Sequence, residues 1–484
     1  MDRASATMRT PTLLLLALML AGCGGSSGGA AITSNPTPPS TATPTLVQHV
    51  HTSTNSDNNP GNNFKIPLPN AALSGNCLIL GLTFPNASGR TITITDNHGG
   101  NTWTAGPTAN TGMSGVTTAI YYALNVAAGT QVVTVTFDAL IPNFSAVVSE
   151  FYNVATSGAV DGSSTSTTSS GPTVMATSLT TGTAGDLIYN FASDTNLITP
   201  GVYSPGSGFS LLSVDNTLTG NVAQYSIQTA AGSVSPSFSF TGSHDLYTTV
   251  AFALKAASAG TAPPAGIRVV HVLHTLADNG NTQTVQFPSS GNLILLTTTF
   301  APDSGGTINT VTDSNGASYA RVVGPNLPND SGQIFYAASA TPGNNLSLTM
   351  NDSSGFMQVV LMDVTGAAAS PFDVKNDASV LNSTNAPMQN IPTITPTTPN
   401  GLIVCVGPIG TGPVTGASGT NNNFLSVVYT GEIDNSAMDA ADGYAIIYNP
   451  TATQQSFTWT VDTPSVSLPT EFQALAVAFK AASQ

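Results

Sequence analysis

The chain has 484 residues, with nine Lys and Arg against 24 Asp and Glu and a formal net charge of −15 at pH 7. This balance argues against nucleic acid as a partner, because neutralising phosphates requires clustered cations. Charged residues make up only 7% of the chain, so its polar surface must consist mainly of Ser, Thr, Asn and Gln.

Residues 1–22 have the organisation of an export signal. Two arginines precede the apolar run LLLLALML (13–20), which is shorter than the ~20 residues of a membrane span. The residues LAGC (20–23) resemble the lipobox of bacterial lipoprotein signal peptides. That resemblance implies that Cys23 carries the lipid. Because Gly24 follows it instead of Asp, the resemblance also implies anchoring at the outer membrane or cell surface.

The segment 23–45 is rich in Gly and Ser and then in Pro and Thr (GGSSGGAAITSNPTPPSTATPT, 24–45). Such a composition cannot bury a core, so we expect a flexible, disordered tether. It would lift the rest of the chain away from a membrane.

The remainder is an internal duplication. We place the first copy at 46–257, a linker at 258–266 and the second copy at 267–484. The matching segments include LSGNCLILGLTF with SSGNLILLTTTF (73–84 and 289–300), TITITDNHGGNTWT with TINTVTDSNGASYA (91–104 and 307–320), and VAFALKAAS with LAVAFKAAS (250–258 and 475–483). These repeats therefore predict two domains, one for each copy.

The local pattern of both copies predicts β-strands. Segments such as VVTVTF (132–137) alternate apolar and polar residues with the period of two that a half-buried strand requires. The runs DNHGGN and DSNG are typical of hairpin turns. We predict an all-β protein with two tandem jelly-roll-like β-sandwich domains. Cys77 and Cys405 lie in apolar runs at non-equivalent positions, so we interpret them as small buried hydrophobes rather than a disulfide.

The order of segments within each copy resembles a module repeated in bacterial secreted and surface proteins. It consists of an apolar strand after Gly-Asn, the motif T-D-x-x-G-x-x-[YW], a YYA strand, V-T-V-T-F and a terminal AFK. The first copy carries one extra glycine in its turn. The resemblance implies a location and a fold and adds little about chemistry.

Four of the six histidines lie in QHVHT (48–52) and VHVLHT (270–275). His49 and His51 share a strand face and could grip a metal, but His271 and His274 are three apart and should face opposite sides. A metal site needs a further ligand. We therefore interpret His49 and His271 as corresponding residues of two first strands, with the His49/His51 pair left open as half of a site.

Acidic residues offer no obvious catalytic pair. Retaining glycosidases need two carboxyls ~5 Å apart, and the chain contains only three glutamates. Glu150 corresponds to the region of Asp363, and Asp161 corresponds to Asp373. We interpret these repeated acids as residues that order turns.

Two kinds of candidate ligand-binding residue remain. Asp434, Asp439 and Asp442 concentrate carboxylates in one loop, which makes them weak candidates for Ca²⁺; we expect no other cofactor. Trp103 and Tyr319 correspond to one another beside the DNHGGN and DSNG turns, and they are the candidates for an exposed sugar-stacking platform. Trp459, Phe240, Phe457 and Phe238 fall on equivalent strands, and we expect them to fill the core.

From the sequence we expect a non-enzymatic cell-surface lipoprotein whose tandem β-sandwiches bind a polysaccharide or a surface protein. One alternative is a polysaccharide-degrading enzyme with a jelly-roll fold. The other is a purely structural envelope or filament protein.

Overall fold

The structure is a computed structural model. It describes residues 42–483, with the exception of the segments 56–60, 86–89, 111–114, 170–172, 195–196, 200, 216–220, 245, 259–264, 278–281, 301–306, 324–331, 353–356, 383–387, 390–391, 410–413, 420–423, 429–442, 450 and 462–469. Residues Thr41–Gln484 form one compact unit. The predicted signal peptide, Cys23 and nearly all of the tether lie outside the described residues, as does most of the linker 258–266.

The described part of the first copy consists of strands. In chain order they are β1 (Thr45–Asn55), β2 (Gly61–Pro67), β3 (Cys77–Pro85), β4 (Ile92–Asp96), β5 (Trp103–Asn110), β6 (Val116–Ala123), β7 (Val132–Ile141), β8 (Asn143–Tyr152), β9 (Val160–Ser169), β10 (Thr173–Met175), β11 (Leu179–Thr181), β12 (Asp186–Asp194), β13 (Leu197–Thr199), β14 (Tyr203–Pro205), β15 (Ser210–Asp215), β16 (Asn221–Gln228), β17 (Gly232–Val234), β18 (Ser237–Phe240), β19 (Ser243–His244) and β20 (Leu246–Leu254).

The second copy continues in the same manner. Its strands are β21 (Arg268–Ala277), β22 (Thr282–Gln286), β23 (Leu293–Phe300), β24 (Ile308–Asp313), β25 (Ala320–Val323), β26 (Gly332–Ala338), β27 (Ser347–Asp352), β28 (Met357–Thr365), β29 (Ala367–Asn382), β30 (Met388–Gln389), β31 (Thr393–Ile394), β32 (Gly401–Ile409), β33 (Val414–Gly419), β34 (Phe424–Val428), β35 (Gly443–Asn449), β36 (Gln455–Val461) and β37 (Thr470–Ala481). The described residues contain no helix, which confirms the all-β prediction. It follows that none of them belongs to a helix that could span a membrane.

The two copies share one sheet. Its ten strands run in the order β25-β26-β23-β28-β21-β1-β8-β3-β6-β5. Five strands come from each copy, and they meet where the first strand of each copy, β1 and β21, pair in parallel. This junction, which the residue pattern did not reveal, joins the two copies into one continuous body.

Among the smaller sheets, two in each copy have matching strand orders. The three-stranded sheets are β2-β7-β4 and β22-β27-β24, and the five-stranded sheets are β15-β16-β12-β20-β9 and β34-β35-β32-β37-β29. The matching orders agree with the duplication seen in the sequence. The strand alternation explains the packing, since β7 buries Val133, Val135 and Phe137 and leaves the threonines between them on the outer side.

The smaller sheets cover opposite faces of the ten-stranded sheet in the two copies. In the first copy, Leu80 packs toward the three-stranded sheet and Ile79 toward the five-stranded sheet. In the second copy, Leu295 packs toward the five-stranded sheet and Ile294 toward the three-stranded sheet. Because neighbouring residues of a strand point to opposite faces, one core spans the three-stranded sheet of the first copy and the five-stranded sheet of the second.

Hydrogen bonds tie the copies together on both faces. Asn70 Nδ2 donates to the carbonyl of Val269 at 2.7 Å. On the other face, Gln286 accepts from Tyr203 N at 2.9 Å and donates to Tyr203 O at 2.6 Å. Cys77 and Cys405 are buried and unbonded to one another, as we predicted from their apolar surroundings.

Candidate functional site

Two histidines meet at the junction between the copies. His49 lies directly opposite His271 in the parallel ladder, and their rings stack with centroids 3.9 Å apart and an interplanar angle of 27°. The His271 ring also stacks on Phe287 at 4.4 Å. Both histidines are buried. We call this group, together with His51, the histidine seam.

The ladder corrects the sequence alignment at this point. Gln48 lies opposite Glu150, and His271 lies opposite Asp363, each just after a bulge. The counterpart of His271 in the first copy is therefore Gln48, and the counterpart of His49 is Val272. Our alignment of His49 with His271 was one residue out of register. They are neighbours across the seam and are not equivalent positions.

His51 extends the seam toward the five-stranded sheet of the first copy. Its Nε2 lies 3.1 Å from Ser145 Oγ and 3.7 Å from Asp215 Oδ2. On the other side, His271 Nδ1 lies 3.0 Å from the carbonyl of Pro288. A carbonyl only accepts, so the proton of neutral His271 is on Nδ1.

Burial keeps the seam histidines neutral. Desolvation lowers the pKa of His49 to about 3 and lowers the pKa of His51, although the charge of Asp215 partly opposes the shift of His51. Burial places the pKa of His271 well below its usual range, and the neighbouring His49 reinforces this. Two stacked imidazoles with no solvent between them cannot both carry a charge.

The seam does not assemble a metal centre within the described part of the chain. No group of three or more His, Cys, Asp or Glu side chains is placed to hold a metal ion there. His274 falls on the opposite sheet face from His271, because the ladder between them is regular. Beside the His49/His51 pair, the structure places Ser145 and Asp215 near His51.

The repeated acids hold the turns that precede β3 and β23. Glu150 accepts hydrogen bonds from Leu73 N at 2.8 Å, Asn76 Nδ2 at 2.6 Å and Gln48 Nε2 at 2.6 Å. Burial raises the pKa of Glu150, and these hydrogen bonds oppose the shift. Both carboxylate oxygens of Glu150 therefore accept hydrogen bonds that hold the turn and β1 in place, in agreement with the predicted role of ordering a turn.

Asp363 does the same in the second copy. Its two oxygens accept from Ser290 N at 2.7 Å, Ser290 Oγ at 3.1 Å and Gly291 N at 2.9 Å. Burial raises its pKa to about 6. Glu150 on β8 and Asp363 on β28 thus have the same role, which is to accept hydrogen bonds from the turn before β3 or β23.

A substitution at Gly291 would show how closely the turn before β23 packs against β28. A Cβ at this position would lie 2.2 Å from the carbonyl oxygen of Val364 and 2.5 Å from Asp363 Oδ1. Its counterpart Gly75 has a φ of +83°, and a Cβ there would lie no closer than 4.0 Å to the nearest atom, Asn125 Oδ1. We expect Gly291→Ala to lower the free energy of unfolding by about 3 kcal/mol and Gly75→Ala by about 1 kcal/mol, the cost of a left-handed backbone for alanine. Urea unfolding measures both, and equal costs would contradict the contact.

Asp161 and Asp373 also order turns. Asp161 accepts from Gly182 N at 2.7 Å and Thr183 N at 2.9 Å and lies 3.8 Å from Lys255 Nζ. Asp373 accepts from the backbone and hydroxyl of Thr397 and lies 3.9 Å from Lys480 Nζ. The prediction that these repeated acids have structural roles is supported at all four positions.

Asp186 is a second carboxyl beside Asp161. Thr183 Oγ1 lies 2.7 Å from Asp186 Oδ1 and 3.0 Å from Asp161 Oδ2, bridging the two. Burial raises the pKa of Asp186 to about 6, and the neighbouring Asp161 adds to the shift. Gly401 occupies the corresponding position of the second copy, so the duplication does not preserve this carboxyl pair.

In the T-D-x-x-G-x-x-[YW] motif, the aspartate accepts hydrogen bonds from the turn that follows it and from the aromatic residue at the motif's end. Asp96 accepts from His98 N and Gly99 N through one oxygen and from Trp103 Nε1, at 3.0 Å, through the other. In the second copy, the Tyr319 hydroxyl donates to Asp313 Oδ2 at 3.0 Å. Both rings are half-buried. Sugar stacking on Trp103 and Tyr319 stays a prediction, but their polar atoms belong to the turn.

Removing these donors should loosen the turns. We expect Trp103→Phe and Tyr319→Phe each to lower the free energy of unfolding by about 1 kcal/mol, the net value of one hydrogen bond. Thermal or urea unfolding checks this, with Tyr336→Phe as a control that keeps a ring in the same sheet. No loss in either variant would mean that the aromatic donor is dispensable.

The remaining predicted residues divide into two groups. Asp434, Asp439 and Asp442, the calcium candidates, lie outside the described residues, as does the side chain of Trp459. Phe238, Phe240 and Phe457 are buried, as predicted for core aromatics.

The outer sides of the sheets β2-β7-β4 and β22-β27-β24 carry rows of polar side chains that were not among the predicted site residues. In the first copy, the cross-strand rows are Asn63–Thr136–Thr93 and Lys65–Thr134–Thr95. In the second copy, they are Thr282–Asn351–Thr310 and Thr284–Thr349–Thr312. We call these the first and second polar faces. The alternation in TITITD, VTVTF and TINTVTD was the signal that could have revealed them.

Side-chain hydrogen bonds run along the rows of both polar faces. Asn63 Nδ2 donates to Thr136 Oγ1 at 3.1 Å in the first. In the second, Asn351 Nδ2 donates to Thr310 Oγ1 at 2.8 Å, and the hydroxyls of Thr284 and Thr349 are 3.1 Å apart. The outward side chains of the two outer strands in each sheet are exposed, and those of the middle strand are half-buried. Eleven of the twelve side chains are uncharged, Lys65 being the exception.

Comparison of the chain with models of protein families and with curated proteins finds no match.

Proposed function

We propose that this protein is a non-enzymatic, lipid-anchored surface protein whose duplicated β modules bind and bridge other surface material. The observation that carries the proposal is the arrangement of the polar faces. The three-stranded sheets cover opposite sides of the shared ten-stranded sheet, so equivalent outer faces point in opposite directions. A body with two equivalent faces back to back is suited to joining two partners.

The state of the acids supports a non-catalytic role. A retaining glycosidase needs two carboxyls facing one another across the scissile bond. Glu150, Asp161, Asp363 and Asp373 instead accept hydrogen bonds from nearby turns. The carboxyls of Asp161 and Asp186 are bridged by the Thr183 hydroxyl instead of facing one another across a gap, so this pair does not favour the alternative of a jelly-roll polysaccharide-degrading enzyme.

The anchoring half of the proposal rests on the sequence. The lipobox-like LAGC (20–23) supplies Cys23 as the lipidation site, and the tether 23–45 separates the folded body from the membrane. Outer-membrane or cell-surface display would then place the polar faces where external ligands reach them.

Two measurements on the full chain test the proposal. Expressed in a bacterium with labelled fatty acid, the wild type should incorporate label and Cys23→Ser should not. The purified protein should sediment with cell-envelope or extracellular-polymer fractions. Absence of labelling refutes the anchor. Absence of binding to every fraction refutes the binding role and favours the purely structural alternative.

A further inference from the structure

We infer that the first and second polar faces are the ligand-binding surfaces and that their ligand is an uncharged polysaccharide. The inference rests on the proposed binding function and adds to it the site and the class of ligand. It concerns twelve side chains at equivalent positions of the two copies.

The chemistry of the faces selects the ligand. Threonine hydroxyls and asparagine amides both donate and accept hydrogen bonds, as the hydroxyls of a sugar chain do. None of the twelve side chains is a carboxylate, and Asp138, which follows Thr136 on β7, is paired with Arg90 at 3.5 Å, so the rows themselves do not offer the carboxylate oxygens that a hard cation prefers. The single cation, Lys65, and a net charge of −15 make both faces poor binders of polyanions.

The geometry suits an extended chain rather than a small molecule. Neighbouring residues within a row are ~4.8 Å apart, and the two rows of one face are ~6.7 Å apart along the strands. Each face therefore presents a lattice of outward-facing polar groups. Such a lattice can contact several successive sugars of a polymer, and each contact adds to the affinity through effective concentration.

The duplication is the second observation. The inward residues of these strands differ between copies, as with Ile94 and Val311, while the outward positions keep Thr or Asn at five of six places. Because the faces point in opposite directions, one molecule presents its second face away from the polymer bound at the first. Each molecule should then hold two polysaccharide chains and cross-link them.

The test uses Thr→Val substitutions, which remove a hydroxyl and keep a good strand former. One variant changes Thr93, Thr95 and Thr134, another changes Thr284, Thr310 and Thr312, and a third combines both sets. The control changes exposed threonines elsewhere, Thr104, Thr108 and Thr165. The probes are microcrystalline cellulose, chitin and an insoluble β-1,3-glucan, with an anionic pectin for comparison.

The wild type and the control should bind at least one neutral polymer and cause its particles to aggregate. Each three-residue variant should lose aggregation and retain binding, and the combined variant should bind about tenfold or more weakly. Undiminished binding by the combined variant, preference for pectin, or aggregation of the protein without any polymer would overturn the inference. If envelope fractions bind and no neutral polymer does, the proposed function stands and this inference fails.

Discussion

Replacing His49 by Val and His271 by Gln is expected to make the protein more resistant to acid. Each substitution installs the residue that the other copy has at the equivalent position. The difference in the free energy of unfolding, variant minus wild type, should increase by about 5 kcal/mol when the pH is lowered from 7.5 to 4.5. The measurement is urea unfolding of both proteins at a series of pH values.

The sign follows from proton uptake. An unfolded histidine binds its proton near pH 6.5, whereas burial lowers the pKa of His49 to about 3 and that of His271 well below its usual range. Between these limits the unfolded chain binds more protons than the native chain, so each histidine lowers stability by about 1.4 kcal/mol per pH unit as the pH falls. The loss begins below about pH 6.5.

Other groups near the seam act in the opposite direction. Burial raises the pKa of Glu150 and raises that of Asp363 to about 6. As the pH falls, both acids therefore bind a proton in the native state before they do so in the unfolded state, and this stabilises the native state. The charged Asp215 and Arg268 and the third seam residue, His51, also lie close to the junction. All of them remain in both proteins, so the difference between the two curves isolates His49 and His271.

The matched control is His98→Gln, in the exposed turn after β4. Its curve should run parallel to that of wild type. If the curve of the double seam variant also runs parallel to that of wild type, the two imidazoles are not buried together.

Glu150→Ala should be among the most damaging single substitutions in the first copy. It leaves three donors without their acceptor: Leu73 N, Asn76 Nδ2 and Gln48 Nε2. Orphaned buried donors cost roughly 1–3 kcal/mol each, so we expect a loss of about 4 kcal/mol in the free energy of unfolding. Glu150→Gln keeps one carbonyl acceptor and should lose about half as much.

Asp363→Ala offers a parallel in the second copy, where Ser290 and Gly291 lose their acceptor. Urea or thermal unfolding measures all three variants. A Glu150→Ala protein with wild-type stability would contradict the structural role, and it would reopen the question of what a buried glutamate does in this strand.

Much of the fold followed from local pattern. The alternation in VVTVTF predicted half-buried strands, and the paired segments predicted a duplication, because both signals can be read from the order of residues without knowing which strands pair. The repeated acids were also interpretable, since Glu150 and Asp363 recur beside apolar strands with few other charges. Their specific partners, the turns before β3 and β23, required the fold.

The junction could not be predicted in the same way. Pairing of β1 with β21 joins residues more than 200 positions apart, and no local period specifies a partner at that distance. Gln48 and His49 are adjacent and both buried, so β1 is covered on both faces, which the residue pattern of QHVHT does not show.

The parallel pairing of β1 with β21 can be tested with a single disulfide. His49→Cys and His271→Cys would be directly opposite, and parallel neighbours ~4.8 Å apart at Cα satisfy disulfide geometry. Peptide mapping by mass spectrometry under non-reducing conditions should find one bond within the monomer joining the two strands. His49→Cys with His274→Cys, on the opposite face, should form none. A bond only between separate molecules, or only in the second pair, would contradict the shared sheet.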